Sequence, residues 1–317
     1  MSITYIIGHK KPDTDSVVAA IALEYLYTKQ PCFEYDQPQA AIIDPINPET
    51  KFLFDKFEVT APSIINADDI KDDDQVVLVD HNEASQRLDG LAEEQIVDII
   101  DHHKVNLNLN KPIYLTFKTW GSSCTIVYHL MKRLEVTPTP KLASLMLAAI
   151  LSDTVGFKGA TTDEKDKQYG QELAKIAKIN DIDVFSMEIF KAKSDISSLS
   201  DEEIIQNDYK IFEFDQKTFI SQLETVEQTA LINNKKEQLI SAMSSVKKQQ
   251  QVELLFVAVT DVLQVNTKLL LAGDQEVTAA QKAFGGTAVD YVLDIGPRMS
   301  RKKEIAPLIE EVLKVNN

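Results

Sequence analysis

The chain has 317 residues, about two domains' worth at roughly 150 residues each. Its 44% hydrophobic and 26% charged residues exclude a disordered, collagenous or membrane-embedded polypeptide. Forty-nine Asp and Glu against 33 Lys and Arg leave a net charge of −16, a field that repels nucleic acid and anionic membranes, so neither is expected as a partner.

Arginine is confined to Arg87, Arg133, Arg298 and Arg301, and the last two, close together near the C-terminus, hint at a local anion site. Cys32 and Cys124 are too few for a disulfide framework and fit two unpaired buried residues in a reducing compartment. No basic stretch precedes Gly8, and the longest mostly apolar run, Leu142–Leu151, is too short for a bilayer, so a cytoplasmic location is expected.

In chain order, Ile3–Ile7 reads as a short strand halted at Gly8, and Ser16–Thr28 as a helix with apolar residues near a 3.6-residue period. Gln75–Val79 and Ile96–Ile100 are β-branched runs of the kind buried in parallel sheets. Lys141–Leu151 is rich in helix formers, and Thr161-Thr162-Asp163-Glu164 can cap a further helix to about Lys178. Such alternation predicts an α/β fold with an N-terminal, doubly wound, mostly parallel sheet domain. Around Lys191 the pattern breaks into the polar, serine-rich stretch Ser194–Ser200, and Ser200-Asp201-Glu202-Glu203 then reads as a capping box. Hairpin strands at Tyr209–Phe214 and Thr218–Leu223, a helix from Ala230 to about Lys248 and a strand at Val252–Val259 predict a smaller C-terminal mixed α/β domain. The expected division is 1–190, a linker at 191–197, and 198–317.

Three predicted strands end in residues that can bind metal: Gly8-His9-Lys10-Lys11-Pro12-Asp13-Thr14-Asp15-Ser16, Asp80-His81-Asn82 and Asp101-His102-His103. A fourth cluster, Ser152-Asp153-Thr154, ends the leucine-rich helix. Of five histidines, His9, His81, His102 and His103 fall at strand ends and only His129 lies elsewhere. Any one of them alone would read as structural. In open α/β sheets, however, the carboxyl ends of the strands face one crevice, and this stretch has almost no arginine to balance its carboxylates, so a bound cation is the better reading. Carboxylate with imidazole and no thiolate suits Mn²⁺, with Co²⁺ or Mg²⁺ tolerated. Two ions sharing a carboxylate, about 3.5–4 Å apart, would clamp the attacking and leaving oxygens of phosphoryl transfer. Farther on, Arg298, Arg301, Lys302 and Lys303 put four cations into six positions of an acidic chain, a phosphate-binding pattern.

Gly-His-x-x-Pro-Asp-Thr-Asp-Ser, Asp-His-Asn, Asp-His-His, Ser-Asp-Thr and Ser-Arg-Lys-Lys, in this order, resemble the manganese-dependent (family II) inorganic pyrophosphatases of the DHH phosphoesterase superfamily, from Gly8 to about Pro307. The resemblance implies a DHH-type catalytic domain, a C-terminal substrate-binding domain and an active site in the cleft between them. It implies metal ligands His9, Asp13 and Asp15, Asp80 bridging both ions, and His102 and Asp153 completing the second site. His103 would contact the phosphate and protonate the leaving group, and Arg301, Lys302 and Lys210 would bind pyrophosphate. Two Mn²⁺ (or Co²⁺), with additional Mg²⁺ carried by the substrate, would support in-line attack of metal-activated water on pyrophosphate, giving two phosphates. The family's homodimers join through the N-terminal domain, and this chain has no room for the nucleotide-sensing insert of longer relatives. One departure stands out: Lys11 occupies the position before the Pro that is usually Asn. The rival readings are another phosphoesterase of the superfamily, acting on short oligonucleotides, cyclic dinucleotides or polyphosphate, and a non-catalytic metal- or phosphate-binding regulator. A glycine-rich motif with His would mark the first, but Phe284-Gly285-Gly286 has none; a lost ligand would mark the second, and all six are present.

Overall fold

The computed structural model describes residues 2–33, 35–197 and 199–314, except for the side chain of Cys32. The outer ends of the expected C-terminal domain, Ser198 and Asn317, lie outside the described residues. The chain divides into two compact units, one ending at Ala192 and the other beginning at Lys193.

The first unit runs β1 (Thr4–Ile7), α1 (Thr14–Lys29), β2 (Pro38–Ile42), α2 (Pro48–Phe57), β3 (Ser63–Ile64), β4 (Gln75–Val79), β5 (Ile96–Asp101), β6 (Tyr114–Phe117), α3 (Ser123–Arg133), α4 (Pro140–Asp153), α5 (Glu164–Ala177) and α6 (Ile182–Lys193). Its sheet has the order β3-β2-β1-β4-β5-β6, and every pairing is parallel. Successive strand side chains go to opposite faces. Ile6, Val77, Val79 and Ile100 enter the core built with α1, α3 and α4, while Tyr5, Ile7, Val76, Leu78 and Ile99 fill a second core on the other face. Continuous apolar runs in β1 and β4 are thus what a sheet covered on both sides requires. The strand order reverses between β1 and β4, the switch point where such sheets open a crevice at their carboxyl ends.

The helix predicted from Ser16 begins two residues earlier. Asp13 is its N-cap, accepting the Ser16 amide at 3.0 Å, which places Asp15 inside the first turn. The last residue of α4 is Asp153. Lys191–Lys193, read from the sequence as the opening of a linker, are the end of α6.

The second unit comprises α7 (Asp201–Gln206), β7 (Tyr209–Glu213), β8 (Lys217–Thr225), α8 (Gln228–Gln249), β9 (Leu254–Asp261), β10 (Asn266–Leu271), α9 (Asp274–Phe284), β11 (Val292–Asp294), a π-helical turn (Arg301–Ile305) and α10 (Ala306–Lys314). Its mixed sheet has the order β11-β10-β9-β8-β7, with β8 and β9 parallel and the other pairs antiparallel. The capping box at Ser200 and Glu203 opens α7. Among the described residues no helix is long and apolar enough to cross a membrane. Cys124 is free and buried.

Candidate metal centre and cationic segment

His9 follows β1, Asp80 follows β4, His102 follows β5, Asp13 and Asp15 flank the first residue of α1, and Asp153 closes α4. These six residues meet at the switch point in two groups that share Asp80. One is His9, Asp13 and Asp80; the other is Asp15, Asp80, His102 and Asp153. Within each group one ligand atom per residue lies within 4.8 Å of the others.

Each donor is fixed by its surroundings. His9 Nδ1 lies 2.8 Å from the Lys10 carbonyl and His102 Nδ1 lies 2.9 Å from the Trp120 carbonyl. Donation from Nδ1 to those carbonyls leaves each Nε2 as the nitrogen that can bind a cation once it gives up its proton. The Nε2 atoms stand 3.5 Å (His9) and 3.3 Å (His102) from Asp80 oxygens. Gly8 is required beside them, because a Cβ there would lie 1.9 Å from Ser16 Oγ, the atom that accepts the His9 amide at 3.0 Å. Asp15 is held at the N-terminus of α3 by the Ser122 hydroxyl (2.7 Å) and the amides of Ser123 (2.6 Å) and Cys124 (3.0 Å). Orphan amides at a helix start favour an anion there.

Asp80 sits at φ +63°, in the left-handed region, with its amide donating to Ile100. Backbone strain of this kind gathers at functional sites. Its Oδ1 accepts the Ser123 hydroxyl at 2.9 Å, while its buried Oδ2 has no hydrogen-bond partner among the described residues.

The charges do not balance internally. Burial pushes Asp15 up to about 6, with the Asp80 charge adding to it, and burial together with Asp15 and Asp13 pushes Asp153 well above the usual carboxylate range. Burial would draw His9 down, yet Asp13 and Asp80 raise it to about 11. Burial would likewise raise Asp80, but His102 and His9 hold it well below the ordinary range. Among the described residues, the ion-pair partners of Asp13, Asp80 and Asp153 are histidines, not lysine or arginine. Four crowded carboxylates, two imidazole nitrogens whose protons are held by those carboxylates and one orphaned buried oxygen fit a hard divalent cation such as Mn²⁺, which would take the place of the protons.

His103 forms a further potential ligand group with Asp80 and His102. Its Nδ1, however, lies 2.9 Å from Asp101, and its side chain is 54% exposed, open to a substrate. Asp101 also accepts the His102 and His103 amides and the Asn82 amide group. His81 is buried with Nδ1 on the Val79 carbonyl, burial lowers it to about 4, and it is in none of the ligand groups. His129 pairs with Tyr169 at 2.8 Å, a structural contact. Arg87 braces the Asp80 loop by donating to the Asn82 carbonyl at 2.7 Å.

In the second unit, the run Arg298–Lys303 is clamped to its own sheet. Gln222 on β8 accepts the Arg301 amide at 3.2 Å and donates to the Met299 carbonyl at 2.9 Å, while Thr267 on β10 donates to the Arg298 carbonyl at 2.5 Å. Ser300 accepts the Lys303 amide and starts the π-helical turn. The buried Arg301 guanidinium donates to Asp208 twice, to the carbonyl at 2.6 Å and to the carboxylate at 2.8 Å. Lys302 and Lys303 are exposed, and Lys210, on β7, is exposed with its ammonium 5.3 Å from the centre of the Phe212 ring. Arg298, counted with the cations from sequence, is turned onto the Phe284 ring and the Ile295 carbonyl.

Sequence reasoning missed Ser122 and Ser123, Asp208 and Gln222. Each acts across a long sequence separation, and only the N-cap character of Ser122 is visible locally.

Comparison with known proteins agrees along the length of the chain. The model of the DHH family, N-terminal domain, matches residues 3–150 and that of the DHHA2 domain matches residues 187–312. A protein of Methanocaldococcus jannaschii named manganese-dependent inorganic pyrophosphatase is 37% identical, over 96% of this chain and 98% of that protein. One of Methanothrix thermoacetophila with the same name is 35% identical over 98% of both chains. A crystal structure described as a family II inorganic pyrophosphatase of Methanococcus jannaschii superposes with a TM-score of 0.63 at 36% identity, covering 98% of this chain and all of that one. The chain therefore belongs to the manganese-dependent (family II) inorganic pyrophosphatases, hydrolases of the DHH phosphoesterase superfamily.

Proposed function

We propose that this chain hydrolyses inorganic pyrophosphate to two phosphates at a dinuclear site held by His9, Asp13, Asp15, Asp80, His102 and Asp153. The observation that carries the reading is the pair of ligand groups sharing Asp80, and the names of the relatives supply the substrate. Two Mn²⁺ ions, for which Co²⁺ can substitute, supply charge neutralisation and water activation near neutral pH, with further Mg²⁺ entering on the substrate. The rest belongs to the protein. Asp80 turns Oδ2 toward His9 and Oδ1 toward His102, and the α3 N-terminus keeps Asp15 from turning away. His103, oriented by Asp101, gives a proton to the departing phosphate oxygen, and the Asp101 contact raises its pKa for that role. Arg301, Lys302 and Lys210 neutralise the phosphate oxygens, so catalysis is chiefly positioning and electrostatics.

The chain acts as a cytoplasmic homodimer joined through the first unit and needs no nucleic-acid partner. The edge strand β6 supports the dimer, since it ends the sheet with Tyr114 75% and Leu115 52% exposed. Sedimentation of the wild type and Leu115→Lys checks this; a wild type that sediments as a monomer defeats it. The activity is tested by chelation and re-addition of Mn²⁺, Co²⁺, Zn²⁺ or Mg²⁺, followed by phosphate release from pyrophosphate, polyphosphate and a cyclic dinucleotide. Pyrophosphate cleavage restored best by Mn²⁺ or Co²⁺ is expected. Preference for another substrate would sink the reading.

A further inference from the structure

A buried carboxylate outside the two ligand groups ties their supporting segments together. Glu49 lies in the first turn of α2, after the N-cap Asn47 and Pro48. Acidic residues are favoured there by the helix dipole and ordinarily face water. Glu49 instead is 2% exposed. One of its oxygens accepts the Thr14 hydroxyl and the other accepts the Ser152 hydroxyl at 3.1 Å. Thr14 stands between Asp13 and Asp15, and Ser152 immediately precedes Asp153. Thr50, the next residue of α2, adds a hydroxyl contact to Thr14 at 3.0 Å. A helix that supplies none of the six ligands therefore joins the start of α1 to the end of α4.

Packing does not explain this choice. A carboxyl group is costly to bury, and an apolar side chain of similar volume would serve a core as well or better. What distinguishes the position is what the two hydroxyls adjoin: three of the four candidate ligand carboxylates, from segments more than a hundred residues apart in sequence.

We propose that Glu49 is a positioning residue for metal binding. It fixes the separation between the Asp13–Asp15 turn and Asp153, so that donors from both ligand groups are in place before a cation arrives. The proposal rests on the reading of these residues as Mn²⁺ ligands. Partners that orient ligands typically carry about 10- to 100-fold in metal affinity.

The test titrates Mn²⁺ into the metal-stripped full chain by calorimetry and records its thermal melt, for the wild type, Glu49→Gln, Ser152→Ala and the double variant. Glu49→Gln keeps the volume but replaces one acceptor oxygen with a donor. It should weaken Mn²⁺ binding by roughly 10- to 100-fold and leave kcat at saturating Mn²⁺ within about threefold of wild type. Ser152→Ala should weaken binding in the same direction by less. The double variant should be little worse than Glu49→Gln alone, because both changes break the same contact. Mn²⁺ affinity within about twofold of wild type for Glu49→Gln, whatever its melt, would overturn the proposal, since outer partners of ligands normally carry more. Should that variant fail to fold, unchanged affinity in Ser152→Ala would overturn it as well. Wild-type chain that takes up no Mn²⁺ would instead defeat the metal assignment beneath it.

Discussion

The carboxylates of the first unit and the cations of the second are assembled in opposite ways. Asp13 and Asp15, Asp80, His102 and Asp153 come from four separated segments and meet only when three parallel strands and two helices are in register. The cations Arg301, Lys302 and Lys303 are consecutive and occupy one π-helical turn clamped by Gln222 and Thr267. In the first region most of the charge is buried and, among the described residues, pairs with histidine rather than lysine or arginine; in the second, Arg301 is already answered by Asp208. The first arrangement should fail as a unit when the one shared residue is replaced. The second should fail by degrees.

Asp80→Asn breaks the comparison at its strongest point. Asn tolerates the left-handed backbone that Asp80 adopts at φ +63°, so the fold should survive. The substitution removes the charge and replaces one of the two oxygens of the residue that the groups share. Metal content after desalting should fall for both sites together, and pyrophosphate hydrolysis by about 10³-fold or more. A variant that still holds its full metal complement would show that the groups are independent.

Arg301→Ala is the matching change in the second unit. Metal content should stay at the wild-type level while kcat/KM falls by about 10²–10³-fold, the range for removing one charge-stabilising donor. Metal loss as severe as in Asp80→Asn would mean the roles are wrongly divided. Gln222→Ala leaves the guanidinium intact and loosens only the backbone that carries it, releasing the Arg301 amide and the Met299 carbonyl. It should act in the same direction but more weakly, about fivefold to tenfold, the worth of one ordinary hydrogen bond. Kinetics measured beside metal analysis would separate the two.

The same contrast explains what could be read from the chain alone. β1, β4 and β5 are short, largely apolar runs buried on both faces, β5 interrupted only by Asp98, so their ends were legible to within a residue. Of the candidate ligands, His9, Asp80 and His102 lie within two residues of those ends, and the cations form one local run; both kinds of pattern are visible without a fold. β2, with two alanines, β3, of two residues, and the exposed edge strand β6 carry no such signal. The supports of the site were hidden for a different reason. Asp15 is held by residues 107–109 positions away, Arg301 by Asp208 at 93 and Asp153's neighbour by Glu49 at 103. A buried Glu49 and an exposed one have the same local sequence, since Asn47-Pro48 marks the helix start either way. Donors are thus written in strand ends, while their orientation is written in topology.

Lys11 probes whether a departure inside the ligand loop is chemical or conformational. It lies between His9 and Asp13 at φ +50°, with its amide donating to Asp44 at 2.8 Å and its side chain exposed. A lysine in the left-handed region is disfavoured relative to Asn, whose short polar side chain can hydrogen-bond locally. If conformation is the whole story, Lys11→Asn should raise stability by about 0.5–1 kcal/mol, read as a higher urea midpoint at unchanged m-value. Mn²⁺ affinity and kcat/KM should then move little, because the loop already holds His9 and Asp13 in place. A several-fold drop in kcat/KM, weaker in high salt, would show instead that the Lys11 ammonium serves the polyanionic substrate. The chain would then draw one of its substrate-binding cations from the carboxylate-rich unit itself, and the division between a unit that holds metal and a unit that holds phosphate would no longer be clean.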